Sequence, residues 1–331
     1  LIMTTYKDIR GTHIKTVTTD PPAPQNGQMW YNSTTKVVKG FTNNPVGSWS
    51  SGGNLNTGRY WGSSAGVDST AALVFGGYNN TVHPVCITRN ESYNGTTWTE
   101  VGDLTTRKMI ACGAGTYTSA LSFLGNSAPG GYSAANESWN GVSWTEVGDL
   151  AVARRQAGGG GASNTSAIGF GGETPPQGDS ALTEVWNGTA WTEVADLNTS
   201  RGGIDGGPMG TATAALAAGG YKYNSPSGAK LLTENWNGSS WTEVGDPDTG
   251  GDGRFGNPSA ALLSNGTDII LWNGTSWSET TARSTNVTAA TGAGTTSSGL
   301  LAGGEPPSAS GSTATEEWVA PTTSTVTFTA S

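Results

Sequence analysis

The chain has 331 residues, of which 51 are Gly and 13 Trp, and only 12% carry charge. Its formal net charge is −9 and its isoelectric point about 4.7. That balance excludes the basic footprint a nucleic-acid partner demands and opposes docking on an anionic membrane surface. No stretch approaches the roughly 18 to 20 consecutive apolar residues of a spanning helix, so membrane insertion is not expected.

From the N-terminus, "LIMTTYKDIRGTHIK" lacks the apolar core of a signal peptide, and Sec-type secretion is not expected. "TTDPPAPQNG" (Thr18 to Gly27) reads as an extended Pro-rich spacer. Residues 1–36 carry no repeat and are expected to form an attachment arm. Residues 37–331 are expected to form one repetitive domain. "VVKGFTNNPVGSWS" (Val37 to Ser50) is a loose first copy of its outer hairpin.

The copies that follow share one grammar. A small apolar run ends in two glycines: "AALVFGG" (Ala71 to Gly77), "SAIGFGG" (Ser166 to Gly172), "TAALAAGG" (Thr213 to Gly220) and "GLLAGG" (Gly299 to Gly304). The stretch 121–131 supplies a further copy, and "ALLSNG" (Ala261 to Gly266) a degenerate one. After a variable segment comes Tyr93, Trp139, Trp186, Trp236 or Trp272, each followed by Asn-Gly. A second tryptophan closes the motif at Trp98, Trp144, Trp191, Trp241 and Trp277, in steps of 46, 47, 50 and 36 residues. An Asp follows in most copies, and a basic residue lies ten positions beyond the tryptophan at Arg59, Lys108, Arg154 and Arg201.

Periods of about 40 to 50 residues with four short strands each are the signature of propeller blades. Asn-Gly suits a two-residue hairpin turn, with a four-residue loop as the alternative. The double-glycine strand is assigned to the crowded axis, the aromatic pair to the gap between blades. The recurrent Asp and basic residue are expected to tie one blade to the next. Six glycine-ended strands predict an all-β, six-bladed propeller closed by strands from both termini, preceded by an extended N-terminal arm.

Two glycines, an aromatic residue and a tryptophan resemble the kelch repeat, although "YNGTTW" (Tyr93 to Trp98) holds four residues between its aromatics where kelch units hold six. The variant is similar to kelch-like repeats of structural proteins in tailed phages, particularly marine and cyanobacterial ones. "GQMWYNSTTKVVKGF" (Gly27 to Phe41) resembles a hairpin of phage fibre and appendage proteins. The resemblance implies a virion structural protein, assembled in the host cytoplasm as capsid decoration or tail appendage. Implied partners are other virion proteins, engaged through the arm, and host-surface glycans; homo-oligomerisation is compatible with this reading.

Catalytic groups do not assemble from the sequence. His13 and His83 belong to no metal-ligand spacing, and Cys86 and Cys112 are expected to be unpaired. Glu100, Glu146, Glu193 and Glu243 recur once per copy, so they cannot converge on one glycoside. No enzyme activity and no cofactor are expected. The one metal candidate is a weak Ca²⁺ loop, "DPDTGGDGR", with Asp246, Asp248 and Asp252 but no closing Glu. Binding is expected instead on the variable segments, with Tyr78, Tyr221, Lys222 and Tyr223 as contacts. A secreted or cell-surface lectin, or less readily a sialidase-like hydrolase, are the competing functions.

Overall fold

The computed structural model describes residues 14–328 apart from 26, 45–46, 82–85, 128–130, 177, 205–206, 223–230 and 308–309. Among the described residues there are strands and turns but no helix. The chain divides into two compact units, one of residues 1–48 and 320–331, the other of residues 49–319. The expected boundary at residue 36 instead falls just before the strand Val37–Asn44, which belongs to the small unit.

Among the described residues, the small unit is one four-stranded sheet built from segments early and late in the sequence. Lys15–Val17 runs parallel to Met29–Asn32, which pairs antiparallel with Val37–Asn44. Thr322–Phe328 completes the sheet against Val37–Asn44. Its polar centre is Asp20, whose carboxylate accepts from the Trp30 indole at 2.9 Å, from Asn32 Nδ2 at 2.8 Å and from Lys39 Nζ at 2.6 Å. The Lys39 contact, followed by those of Asn32 and Trp30, lowers the Asp20 pKa to about 2. The segment after Asp20, read from sequence as a free spacer, thus leaves from a fixed point.

The large unit contains six four-stranded antiparallel sheets in chain order. The first is Ser63–Asp68, Ala71–Phe75, Asn90–Tyr93 and Trp98–Val101, paired in that sequence. The second to fifth repeat it, with innermost strands Cys112–Thr116, Gly158–Ser163, Gly210–Thr211 and Gly253–Asn257. The sixth takes Thr291–Gly294, Ser298–Ala302 and Thr315–Val319 from the end of the chain and Ser48–Ser51 from its beginning. The N-terminal segment therefore supplies the outermost closing strand, and the C-terminal strand goes to the small unit.

The innermost strands meet in a closed cycle. Ser64 Oγ donates to Gly292 O at 2.5 Å, Ser63 Oγ to Ala111 O at 2.8 Å and Cys112 Sγ to Ala157 O at 3.2 Å. Met209 N donates to Gly159 O at 2.9 Å, and Gly256 N to Pro208 O at 3.2 Å. A Cβ on Gly292 would lie 2.3 Å from Arg254 O, which closes the circuit. This corrects the strand assignment made from sequence. The double glycine ends the second strand, and the axis is lined by the preceding run, such as "GGGGAS" at Gly158–Ser163. Both strands are rich in small residues, but only the innermost has backbone from two neighbouring sheets against it.

The double glycine has another cause. Gly76 and Gly77 take φ of 63° and 104°, in the left-handed region, and a Cβ on Gly76 would meet Lys108 O at 2.5 Å. They turn the chain at the sheet edge directly under the segment that enters the next sheet.

The paired aromatics face each other across the last hairpin, Trp139 opposite Trp144 with ring centroids 5.5 Å apart. The hairpin is a four-residue loop. Asn140 Oδ1 accepts from the N–H groups of Val142 and Ser143 at 2.9 Å each, and only Gly141 has positive φ. Asn acts through its side chain here, which removes the need for a two-residue turn. The second aromatic of each pair reaches the preceding sheet, as Trp144 does onto Phe75 at 4.8 Å, Trp191 onto Phe123 and Trp241 onto Phe170 at 4.9 Å.

Candidate functional site in the central cleft

In an antiparallel sheet, the entry to the first strand and the exit from the second lie at the same edge. Along this edge each entering segment bridges to the first residue after the glycine turn: Tyr60 with Tyr78, Met109 with Asn126, Arg155 with Glu173, Gly202 with Tyr221 and Thr288 with Glu305. The residue after Tyr60, Met109, Arg155, Gly202 or Thr288 then takes positive φ: Trp61 at 54°, Ile110 at 55°, Gln156 at 54°, Gly203 at 66° and Ala289 at 53°. These residues encircle the axis, Trp61 N donating to Ala289 O at 3.1 Å and Ile110 N to Trp61 O at 2.9 Å. The backbone is constant around this circle while its side chains are Trp, Ile, Gln, Gly and Ala.

One cleft of about 640 Å³ opens here, between Trp61, Gln156, Gly203, Gly220, Tyr221, Leu231, the segment Asp248 to Asp252, and Asn265. Four of the six sheets contribute to it. Trp61 is backed by aromatic neighbours, its ring 4.8 Å from Tyr60 and 6.0 Å from Tyr78. Burial, reinforced by the charge of Glu305 and by Tyr78, pushes Tyr60 up to about 12.

Across the cleft the Tyr221 hydroxyl contacts both Gln156 Oε1 and the carboxylate of Glu173. A phenol has one proton to give, and the carboxylate is the stronger acceptor. Tyr221 therefore donates to Glu173. Glu173 is 1% exposed and accepts from Arg155 Nε at 2.9 Å. Burial works against the Arg155 charge, but the hydrogen bond and charge of Glu173 outweigh it and raise the Arg155 pKa. Arg155 also sits 4.9 Å over the Tyr132 ring. One edge of the Tyr221 ring lies against Gly203, where a Cβ would come within 2.4 Å of it.

Of the contacts expected from sequence, Tyr221 lines the cleft, Tyr78 packs half-buried behind Trp61, and Lys222 is exposed outside the lining. Tyr223 lies outside the described residues, as do His13 and His83. Tyr78 and Tyr221 are bound into backbone bridges rather than displayed on free loops. The three aspartates separate. Asp246 accepts from Thr233 N at 2.8 Å, as Asp103, Asp149 and Asp196 do from Asn90, Asn136 and Thr183. Only Asp248 and Asp252 reach the cleft, and no metal-ligating group of three forms among the described residues. The repeated Asp thus serves its own sheet instead of joining two. Cys86 and Cys112 are both buried, and neither is in a disulfide.

Sequence reasoning missed Trp61, Gln156 and Asn265. Aligning the copies on their basic residue would have exposed the first two, as a column where the side chain changes and the spacing does not.

No family model matches the chain, and no curated protein matches it. Among solved structures, "Structure of YjhT" superposes with a TM-score of 0.61 at 12% identity, over 82% of this chain and 99% of that one. At that identity the likeness concerns the fold alone, an all-β, β-propeller-like architecture.

Proposed function

We propose that the chain is a structural protein of a tailed-phage particle, a six-bladed kelch-like propeller displayed by a terminal attachment unit. The observation that carries this reading is the division of labour along the chain. The tryptophan pairs and buried ion pairs recur in most copies, while the side chain at the left-handed position along one edge differs in all five copies that have it. The hairpin of Met29–Asn32 and Val37–Asn44, which resembles phage appendage hairpins, forms with Thr322–Phe328 a unit apart from the repeats. That unit stands apart as suits anchoring to another virion protein, with the variable edge left for host-surface glycans. The repeated carboxylates Glu100, Glu146, Glu193 and Glu243 are exposed on the outermost strands, which supports a non-enzymatic role. Immunogold labelling of purified particles tests the reading: regular label over the capsid or at the tail is expected. Particles free of the protein would sink it and return the lectin reading to first place, since the cleft would remain.

A further inference from the structure

The central cleft has a chemistry more specific than display. We propose that it binds an uncharged pyranose, such as a terminal hexose or N-acetylhexosamine of a surface polysaccharide, and rejects acidic sugars. This deepens the glycan part of the reading above and rests on it only for the source of the ligand.

Three observations converge. The volume, about 640 Å³, falls in the range of small-molecule sites, roughly 300 to 1,000 Å³. Its walls combine an indole with fixed polar groups. Trp61 is held by Tyr60 and Tyr78 in a left-handed conformation, and the equivalent positions elsewhere are Ile110, Gln156, Gly203 and Ala289, so this is the one aromatic ring of the five. An indole kept at such a position, half exposed beside a cleft, is suited to packing on the C–H face of a sugar ring. Tyr221 is immobilised by Gly203 beside it and Glu173 behind it, so its ring and hydroxyl cost little further ordering when a ligand arrives.

The third observation is charge. Among the described residues lining the cleft there is no Lys or Arg, and Asp248 and Asp252 are both exposed within it. Carboxylates accept hydrogen bonds from sugar hydroxyls, as the Asn265 amide can both donate and accept. A sugar carrying its own carboxylate, sulfate or phosphate would meet two like charges with no cation among the described lining residues to offset them; the Arg254 guanidinium, bonded to Gly203 O and Gly251 O, lies buried behind that wall. Arg155 does not fill that role, because its guanidinium is committed to Glu173 and the Tyr132 face.

The test is titration of the full chain, by saturation-transfer NMR and calorimetry, with oligosaccharides ending in galactose, mannose, glucose or N-acetylglucosamine. The same cores ending in sialic acid or glucuronate are run in parallel. At least one neutral terminus is expected to bind at least tenfold more tightly than its acidic counterpart. Trp61→Gly preserves the left-handed backbone and Asp252→Asn preserves shape; each is expected to weaken binding at least tenfold with the melting temperature of the Asn variant unchanged. Preference for the acidic sugars, binding untouched by Asp252→Asn, or no binding to any glycan would each overturn the proposal. Absence from particles with the neutral-sugar profile intact would defeat only the virion reading.

Discussion

At the residue scale, the second tryptophans show how a repeat tolerates unequal copies. The indole N–H of Trp98, Trp241 and Trp277 donates to Thr315, Thr183 and Thr233 at 2.9, 3.0 and 3.1 Å, always the first residue of the third strand in the preceding sheet. In two sheets that position is Asn90 or Asn136, and there the indoles of Trp144 and Trp191 and the Asn Oδ1 atoms are buried without partners. For Trp49 the equivalent residue, three before the first aromatic Trp272, is Ile269, and the indole turns to Thr281 O at 3.1 Å. A buried donor left unpaired costs about 1 to 3 kcal/mol. Asn90→Thr and Asn136→Thr should therefore each raise stability by about 1 kcal/mol in urea unfolding, after allowing for the Asn Nδ2 bonds to Gly102 and Gly148 that are lost. The tryptophans were plain in the sequence. Their partner was not, because a Thr or Asn at the head of a short strand carries no signal until the neighbouring sheet is placed.

At the element scale, the segment entering a sheet is fastened by a buried ion pair in five of the six sheets. Arg154 Nη2 meets Glu184 at 2.5 Å, Arg201 meets Glu234 at 3.2 Å, Lys108 meets Glu137 at 3.5 Å, and Arg59 pairs with Glu91. Each of these carboxylates also accepts backbone N–H groups of the entering segment, as Glu137 does from Thr105 at 2.7 Å. Burial lowers the pKa of Arg59, Lys108, Arg154 and Arg201, and the paired Glu opposes it. The recurring basic residue, expected to tie one sheet to the next, instead bonds within the sheet its own segment enters, as Arg154 does to Gly171 O, Leu182 O and Glu184; its acidic partner, two residues before the first aromatic, was overlooked beside the louder "TE" after the second. The fifth sheet lacks both, with Gly251 and Ile270 at the two positions, and the sixth keeps Glu316 but draws Arg283 from a different place, at 3.0 Å. Loss of both members together is what a buried pair predicts. Glu184→Leu alone should cost about 3 to 5 kcal/mol, while Arg154→Met with Glu184→Leu should recover most of that loss in a double-mutant cycle. A double variant as unstable as the single one would refute the pairing argument.

At the scale of the whole molecule, closure depends on one short strand far in sequence from its sheet. Ser48–Ser51 completes the sixth sheet, and Trp49 packs on Trp318 with centroids 5.2 Å apart. A chain trimmed to residues 48–319 should fold and melt cooperatively, because every sheet of the large unit is retained. Trimming to 52–319 should lower stability by about 3 to 5 kcal/mol, the scale of losing a packed Trp. Equal melting temperatures for the two would show that the ring does not use this strand.

The repeat period, the glycine turns and the aromatic pairs were determined by the sequence alone, because each follows from interactions within some 50 residues or from a side chain that only one backbone geometry accepts. The all-β class followed from them. Which of two small-residue strands lines the axis, which terminus closes the ring and which side chains share the cleft were decided only by the tertiary structure. Those outcomes depend on bringing residues as distant in sequence as Trp61 and Asn265 to one cleft, which no local pattern encodes.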